Sequence, residues 1–287
     1  MQYPPSELVL NDKKQVYHLG IDPEVIADKI ILVGDQGRVE FVSALFDTIE
    51  HKAHHREFVT HTGTYKGKRI CVISTGIGTD NLDIVMNEID ALVNIDLNKR
   101  EDKAEKKSLD IVRIGTCGIL RPEIPVHSYI LSSYSFGLDN IAHFYEMDFT
   151  TEENQLQEEL SQHLQMPEKI TPYMVKADEG LVQRMSSEKT HAGITVTSSG
   201  FYGPQGRQLR LKLSTQDLNE RLGSFESGPL RVMNFEMESS ALFVLGKNLG
   251  HKCTTICLGI ANRPKKEFSK GYETEMKDLI HYVLERI

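Results

Sequence analysis

Short apolar runs alternate with amphipathic segments along most of the chain, and this alternation limits the fold more than any other feature. "KIILVGD" (29–35) reads as a strand buried on both faces, and in the following "QGRVEFVSALFD" Val39, Val42, Leu45 and Phe46 recur at helical spacing. "EFVTHTGTYKGKRICVIST" (57–75) reads as a hairpin turning at Lys66-Gly67-Lys68. A helix carrying Leu82, Val85, Met86, Ile89, Leu92 and Val93 on one stripe comes next, then "SLDIVRIGTCG" (108–118), a strand entering a glycine turn. "GITVTSSGFYG" (193–203) and "CTTICLGIANR" (253–263) are further strands, with a helix over 236–249 between them. The chain closes on a helix with Met276, Leu279, Ile280, Val283, Leu284 and Ile287 on one face. Strands that alternate with helices need crossovers covering both faces of a sheet. The expected fold class is therefore α/β: a single domain over 1–287, with a central mixed twisted β-sheet flanked by helices.

Composition narrows the partners. At 39% hydrophobic and 26% charged the chain is an ordinary globular protein, able to bury roughly three quarters of its extended surface without a staple. A net charge of −8 disfavours nucleic acid and anionic membrane, so an anionic ligand must be met by locally placed arginines. The charged run "NKREDKAEKK" (98–107) mixes both signs and reads as a solvated excursion at a helix end. Cys71, Cys117, Cys253 and Cys257 lie in apolar surroundings with no C-x-x-C pair, which favours buried free thiols over disulfides or zinc. Without a signal-peptide pattern or an apolar run of about 20 residues, a cytoplasmic location is expected.

Five stretches carry chemistry. "VGDQGR" (33–38) sets Gly34 and Gly37 at a helix opening with Arg38 just inside, which suits an anion as well as it suits an ordinary turn. "VRIGTCG" (112–118) buries Arg113 near a strand end, with Thr116 in the turn after it; a guanidinium there needs a carboxylate or an oxyanion. "GFYGPQGRQ" (200–208) offers an aromatic pair, Gln205 and Arg207, either a heterocycle-binding loop or a surface loop with an incidental polar pair. "RVMNFEMESSAL" (231–242) puts Glu236 and Glu238 where a strand runs into a helix, a costly place for carboxylates unless something bonds to them. A capping carboxylate at the helix start accounts for one of the two at most. "STGIGTDN" (74–81) lacks the third glycine of a dinucleotide fingerprint, Asn81 standing in its place, which argues against a nicotinamide cofactor.

In order, "YHLG", "ILVGDQGRVE", "HHREF", "STGIG", "VRIGTCG", "FYGPQGR", "NFEMESSAL" and "NR" resemble the nucleoside phosphorylase-I family, in its uridine phosphorylase branch, from about residue 17 to 263. The resemblance implies that Gly34, Arg38, Arg113 and Thr116 hold phosphate, joined by Arg56 from a neighbouring subunit. Glu238 would accept from the ribose hydroxyls, with Met237 beneath the ring and Glu236 assisting, and His18 of the neighbour would face the 5′-hydroxyl. Cys117, Gly118 and Phe201 would line the base, while Gln205 and Arg207 bond the uracil edge. The catalytic set would be Arg113, Arg207 and Glu238. The implied reaction is reversible phosphorolysis of uridine, deoxyuridine and thymidine being candidates too, to uracil and ribose 1-phosphate in pyrimidine salvage. Inorganic phosphate is then a co-substrate, and no cofactor or metal is expected. Shared sites imply a homo-oligomer, at least a dimer, and a hexamer made as a trimer of dimers fits as well. Purine nucleoside phosphorylases and nucleosidases of the same family are the alternative, against which stand Ala261, where the purine-cleaving relatives carry an aspartate, and the three arginines, for which a water nucleophile has no use. A catalytically dead nucleoside-binding module would be expected to lose Arg38, Arg113 or Glu238. Departures from the family pattern fall at "GIGTDN", which argues against a monovalent-cation site near Glu57, Ile77 and Asn81, and at "GPQGR", Phe235 and the 94–110 excursion.

Overall fold

The computed structural model describes residues 2–167 and 169–287. The first half comprises β1 (Lys29–Val33), α1 (Gln36–Ser43), β2 (Thr48–His55), β3 (Phe58–Tyr65), β4 (Lys68–Ser74) and α2 (Thr79–Asn94). Two short strands, β5 (Ile95–Asp96) and β6 (Glu101–Asp102), pair with each other in the charged excursion. The middle comprises β7 (Asp110–Ile119), β8 (Tyr129–Gly137), α3 (Thr151–Leu164), β9 (Tyr173–Lys176), α4 (Glu179–Met185) and β10 (Thr190–Thr197). The last part comprises α5 (Leu218–Ser224), β11 (Glu226–Ser227), β12 (Leu230–Glu236), α6 (Ser239–Asn248), β13 (Lys252–Asn262), β14 (Glu267–Phe268) and α7 (Glu273–Arg286).

Twelve strands form one mixed sheet, whose main path runs β11-β12-β10-β8-β13-β7-β1-β4-β3-β2. Strand β1 pairs parallel with β4 and β7, and β7 pairs parallel with β13. Such central strands are covered on both faces, which is why β1 reads as an unbroken apolar run: Ile30, Ile31, Leu32 and Val33 are all fully buried. Strand β12 also pairs antiparallel with β7, at Asn234–Ile119 and Phe235–Gly118. Strands β7, β12, β10, β8 and β13 therefore close into a ring, and the remainder of the sheet extends from it as an open wing. On one side α2 and α6 pack Leu82, Val85, Met86, Ile89 and Leu92 against Leu242 and Leu245; on the other α1 and α7 bring Val39 and Val42 against Met276, Leu279 and Ile280. This is the flanked mixed sheet expected of the sequence.

Four local expectations change, the first being the strand read over 193–203, which as β10 ends at Thr197 and gives way to a loop. The predicted hairpin over 57–75 is present, but β2 precedes it as the outermost strand of the wing; its polar, largely exposed residues give no apolar signal. No glycine turn follows Arg113, because β7 runs on through Gly115, Thr116, Cys117 and Gly118 to Ile119, held by β13 and β12. Thr116 thus lies within a strand. Helix α6 begins at Ser239, since Glu236 still belongs to β12, in register with Thr197 of β10. All four cysteines are buried and unpaired, and no described helix is long and apolar enough to cross a membrane.

Candidate active site

Ligands of open α/β sheets collect beyond the carboxyl ends of the strands, and here the ends of β1, β4, β7, β12 and β13 surround a cavity of about 690 Å³. Of the fourteen residues singled out in the sequence, twelve line it: Gly34, Arg38, Arg113, Thr116, Cys117, Gly118, Phe201, Gln205, Arg207, Glu236, Met237 and Glu238. His18 and Arg56 do not. They lie together on the surface beside it, where the Arg56 guanidinium stacks over the Tyr17 ring at 5.4 Å and donates to its hydroxyl at 3.3 Å.

At one end of the cavity the chain leaves β1 through Gly34 and turns into α1. Asp35 caps that helix by accepting from Gly37 N at 2.9 Å, and Arg38 sits in the first turn with its side chain buried. Arg38 donates to the Ile114 carbonyl at 3.3 Å and has no carboxylate partner among the described residues. Burial pushes its pKa down, and the nearby Arg113 pushes it further. An unpaired cation in such a place is stabilised by an anion arriving at the helix N-terminus.

Arg113 differs. It is buried on β7, and its Nη2 donates in a short contact to Glu238, while Nη1 lies 3.5 Å from Glu236. Burial opposes its charge, but Glu238 and then Glu236 outweigh that, so its pKa is raised. Its Nε and Nη1 are buried donors without hydrogen-bond partners. Gly115 makes room for the head group: a Cβ there would fall 2.2 Å from Arg113 Nη1. Arg113 thus forms a buried salt bridge, and its side chain also lines the cavity.

The two glutamates have separate jobs. Glu236 accepts from Glu238 N at 2.9 Å, from Ser239 N at 2.9 and 3.1 Å, and from the Thr197 hydroxyl, so it is the carboxylate that caps α6. Burial raises its pKa, with Arg113 working against the rise. Glu238 accepts from Arg113 and, at 2.8 Å, from Gly78 N, which ties the "STGIGTDN" turn to the same centre. With its main chain fixed by Glu236 and one oxygen held by each partner, Glu238 is oriented rather than loose.

The other end is set by the loop after β10. The Arg207 guanidinium lies over the Phe201 ring at 3.7 Å and donates to the Phe201 carbonyl at 2.6 Å and to Gln205 Oε1. Gln205 is buried, its amide 3.5 Å from the Glu236 carbonyl. Burial, with Arg263 adding repulsion, lowers the Arg207 pKa to about 10. Ala261, at the end of β13, lines this region and supplies no carboxylate.

Arg263, the arginine of the "NR" motif, packs beside this end of the cavity. Its Nη2 donates to the Gln205 carbonyl at 3.1 Å, and Nη1 is a buried donor without a partner. It passes over Gly118, where a Cβ would come within 3.4 Å of its side chain. Ile260 and the exposed Phe268 also line the cavity, unforeseen. The site thus combines buried guanidiniums at one end, an oriented carboxylate in the middle and an aromatic face with an amide and a guanidinium at the other.

Known proteins are similar to this chain in sequence and in fold. The chain is 30% identical to a uridine phosphorylase of Thermococcus kodakarensis over 265 residues, 90% of this chain and 82% of that one. It is 29% identical to a uridine phosphorylase of Escherichia coli over 259 residues, 89% of each. Among solved structures, a nucleoside phosphorylase of Trypanosoma brucei, described as showing uridine phosphorylase activity, superposes with a TM-score of 0.89 at 29% identity, covering 98% of this chain and 99% of its own. The family model of the phosphorylase superfamily matches residues 28–285, which runs from β1 into the last turn of α7 and takes in every residue lining the cavity; the chain belongs to the phosphorylase superfamily.

Proposed function

We propose that the protein is a uridine phosphorylase: it uses inorganic phosphate to cleave uridine into uracil and ribose 1-phosphate. The observation that carries the reading is Arg38, a buried guanidinium with no carboxylate partner among the described residues, beside Gly34 and the start of α1. It is supported by two relatives that are uridine phosphorylases, 30% and 29% identical over 90% and 89% of this chain.

Phosphate is the nucleophile, so no serine, cysteine or aspartate nucleophile is required. It binds at Gly34, Arg38, Arg113 and Thr116, with Arg56 of a neighbouring subunit completing the clamp. The ribose lies over Met237 with its 2′- and 3′-hydroxyls towards Glu238. As the glycosidic bond stretches, positive charge builds on the sugar, and the carboxylate stabilises it more than it stabilises the ground state. The uracil leaves with negative charge on its carbonyl oxygens and ring nitrogen. Arg207 faces that charge, with Gln205 bonding the ring edge and Phe201 against its plane. Neutral Ala261 suits a pyrimidine, which has no N7 to protonate.

Chromatography of uridine and inosine, each incubated with and without phosphate, tests the reading. Phosphate-dependent uracil release is expected. Hypoxanthine release alone would make the protein a purine enzyme, and uracil release without phosphate would make it a hydrolase.

A further inference from the structure

Outside the cavity, one carboxylate gathers an unusual set of donors. Glu88 projects from α2, a helix anchored by the fully buried Val85, Met86, Ile89 and Leu92. Its two oxygens accept from His18 N at 2.8 and 3.1 Å, from Leu19 N at 2.8 Å and from His18 Nδ1 at 2.7 Å. A carboxylate that already accepts two backbone N–H groups can only accept from the imidazole too, so Nδ1 carries the hydrogen. The ring is set edge-to-face against Tyr17, centroids 5.0 Å apart, and against Phe58 at 6.5 Å. His18 Nε2 has no partner among the described residues and is not a buried atom, so it faces outward. The loop is also fixed from behind, since His55 Nδ1 bonds the His18 carbonyl at 2.8 Å, next to Arg56.

A histidine held at Nδ1 by a carboxylate, with Nε2 presented outward, is a tool for one directed hydrogen bond. We infer that Glu88 is a positioning residue: it holds His18 as the Nδ1–H form and aims Nε2 at the ribose 5′-hydroxyl of a nucleoside bound by a neighbouring copy of this chain. This rests on the uridine phosphorylase reading. It adds that nucleosides with a free 5′-hydroxyl are selected through a residue that never touches them. Glutamine at position 88 cannot reproduce the arrangement, because its amide would turn hydrogens toward N–H groups that need an acceptor.

The test compares kcat/KM for uridine and 5′-deoxyuridine in the wild type, Glu88→Gln, His18→Ala and the double variant. The wild type should prefer uridine, and His18→Ala should erase that preference. Glu88→Gln should lower the preference by roughly threefold to tenfold, the worth of one hydrogen bond, and should change it no further once His18 is gone. If Glu88→Gln does not fold, Glu88→Asp, which keeps the charge at shorter reach, carries the same comparison. Equal losses on both substrates in the Glu88 variant would make Glu88 a structural cap and overturn the inference. So would a preference that survives Glu88→Gln yet collapses in His18→Ala. A wild type that ignores the 5′-hydroxyl would remove His18 from the ribose while leaving the reaction intact. No phosphate-dependent uracil release from either substrate would overturn the function itself.

Discussion

Arg38 should be dispensable for folding and indispensable for phosphate. Replacing it with methionine keeps most of the side-chain volume and removes the charge. The fold loses one hydrogen bond, to the Ile114 carbonyl at 3.3 Å, worth about 0.5–1.5 kcal/mol net. It also loses a buried cation whose charged form is disfavoured by burial and by Arg113 at any pH below its lowered pKa. Relief of an unpaired buried charge is worth as much or more, so the melting temperature should hold or rise. Phosphate binding should suffer instead: one charge-assisted contact of about 1.5–3 kcal/mol corresponds to roughly a 10–150-fold weaker Kd. At a phosphate concentration of about 100 Kd the wild type gains ~2.7 kcal/mol of stability, and at the same concentration the variant gains only ~0.3–1.4 kcal/mol. For a chain of this size each kcal/mol moves Tm by about 2–4 °C. Calorimetry with and without phosphate, together with the phosphate dependence of uracil release, reads both effects. A variant that melts far below the wild type, or one that keeps the full phosphate-induced shift, would refute the reasoning.

Removing Glu238 should act in the opposite sense: Glu238→Ala strands the buried Arg113 cation beside Glu236 alone, at a cost of about 3–5 kcal/mol, seen as a lower denaturation midpoint along with lost activity. Arg207→Ala should abolish uracil release with little change in Tm, since this guanidinium is only half buried; activity equal to the wild type would take it out of the base site. Its pKa of about 10 lies below that of an ordinary arginine, so the charge is complete at lower pH and is lost as pH rises through about 10, where the uridine KM should climb. Mixing Arg56→Ala chains with Glu238→Ala chains should restore activity, because each hybrid dimer holds one site with both residues intact; random exchange gives about a quarter of the wild-type rate. A mixture that stays inactive despite proven exchange would mean that Arg56 serves no neighbouring site.

Much of this was legible in the sequence where local pattern and tertiary role agree. Strand β1, the stripe of α2 and the apolar face of α7 follow from periodicity, because each buries its apolar residues against the sheet. Strand β2 was not legible: it is an edge strand held by its pairing with β3 alone, with polar side chains facing out. The run of β7 past Gly115 and Gly118 was hidden for a related reason. Those glycines look like a turn, but Gly115 makes room for the Arg113 head group and Gly118 lies under the Arg263 stem, in a strand paired on both sides. The division of labour between Glu236 and Glu238 depends on Thr197, Gly78 and Arg113, which come from three distant parts of the chain. Sequence spacing showed that two carboxylates stood at a strand–helix junction; only the assembled sheet separates the cap from the acid held by Gly78 and Arg113.

The most direct test is to incubate the protein with uridine, with and without inorganic phosphate, and to quantify uracil and the sugar product. The account predicts uracil and ribose 1-phosphate in equal amounts, formed only when phosphate is present. Free ribose in place of the phosphate ester, or uracil formed at the same rate without phosphate, would contradict it.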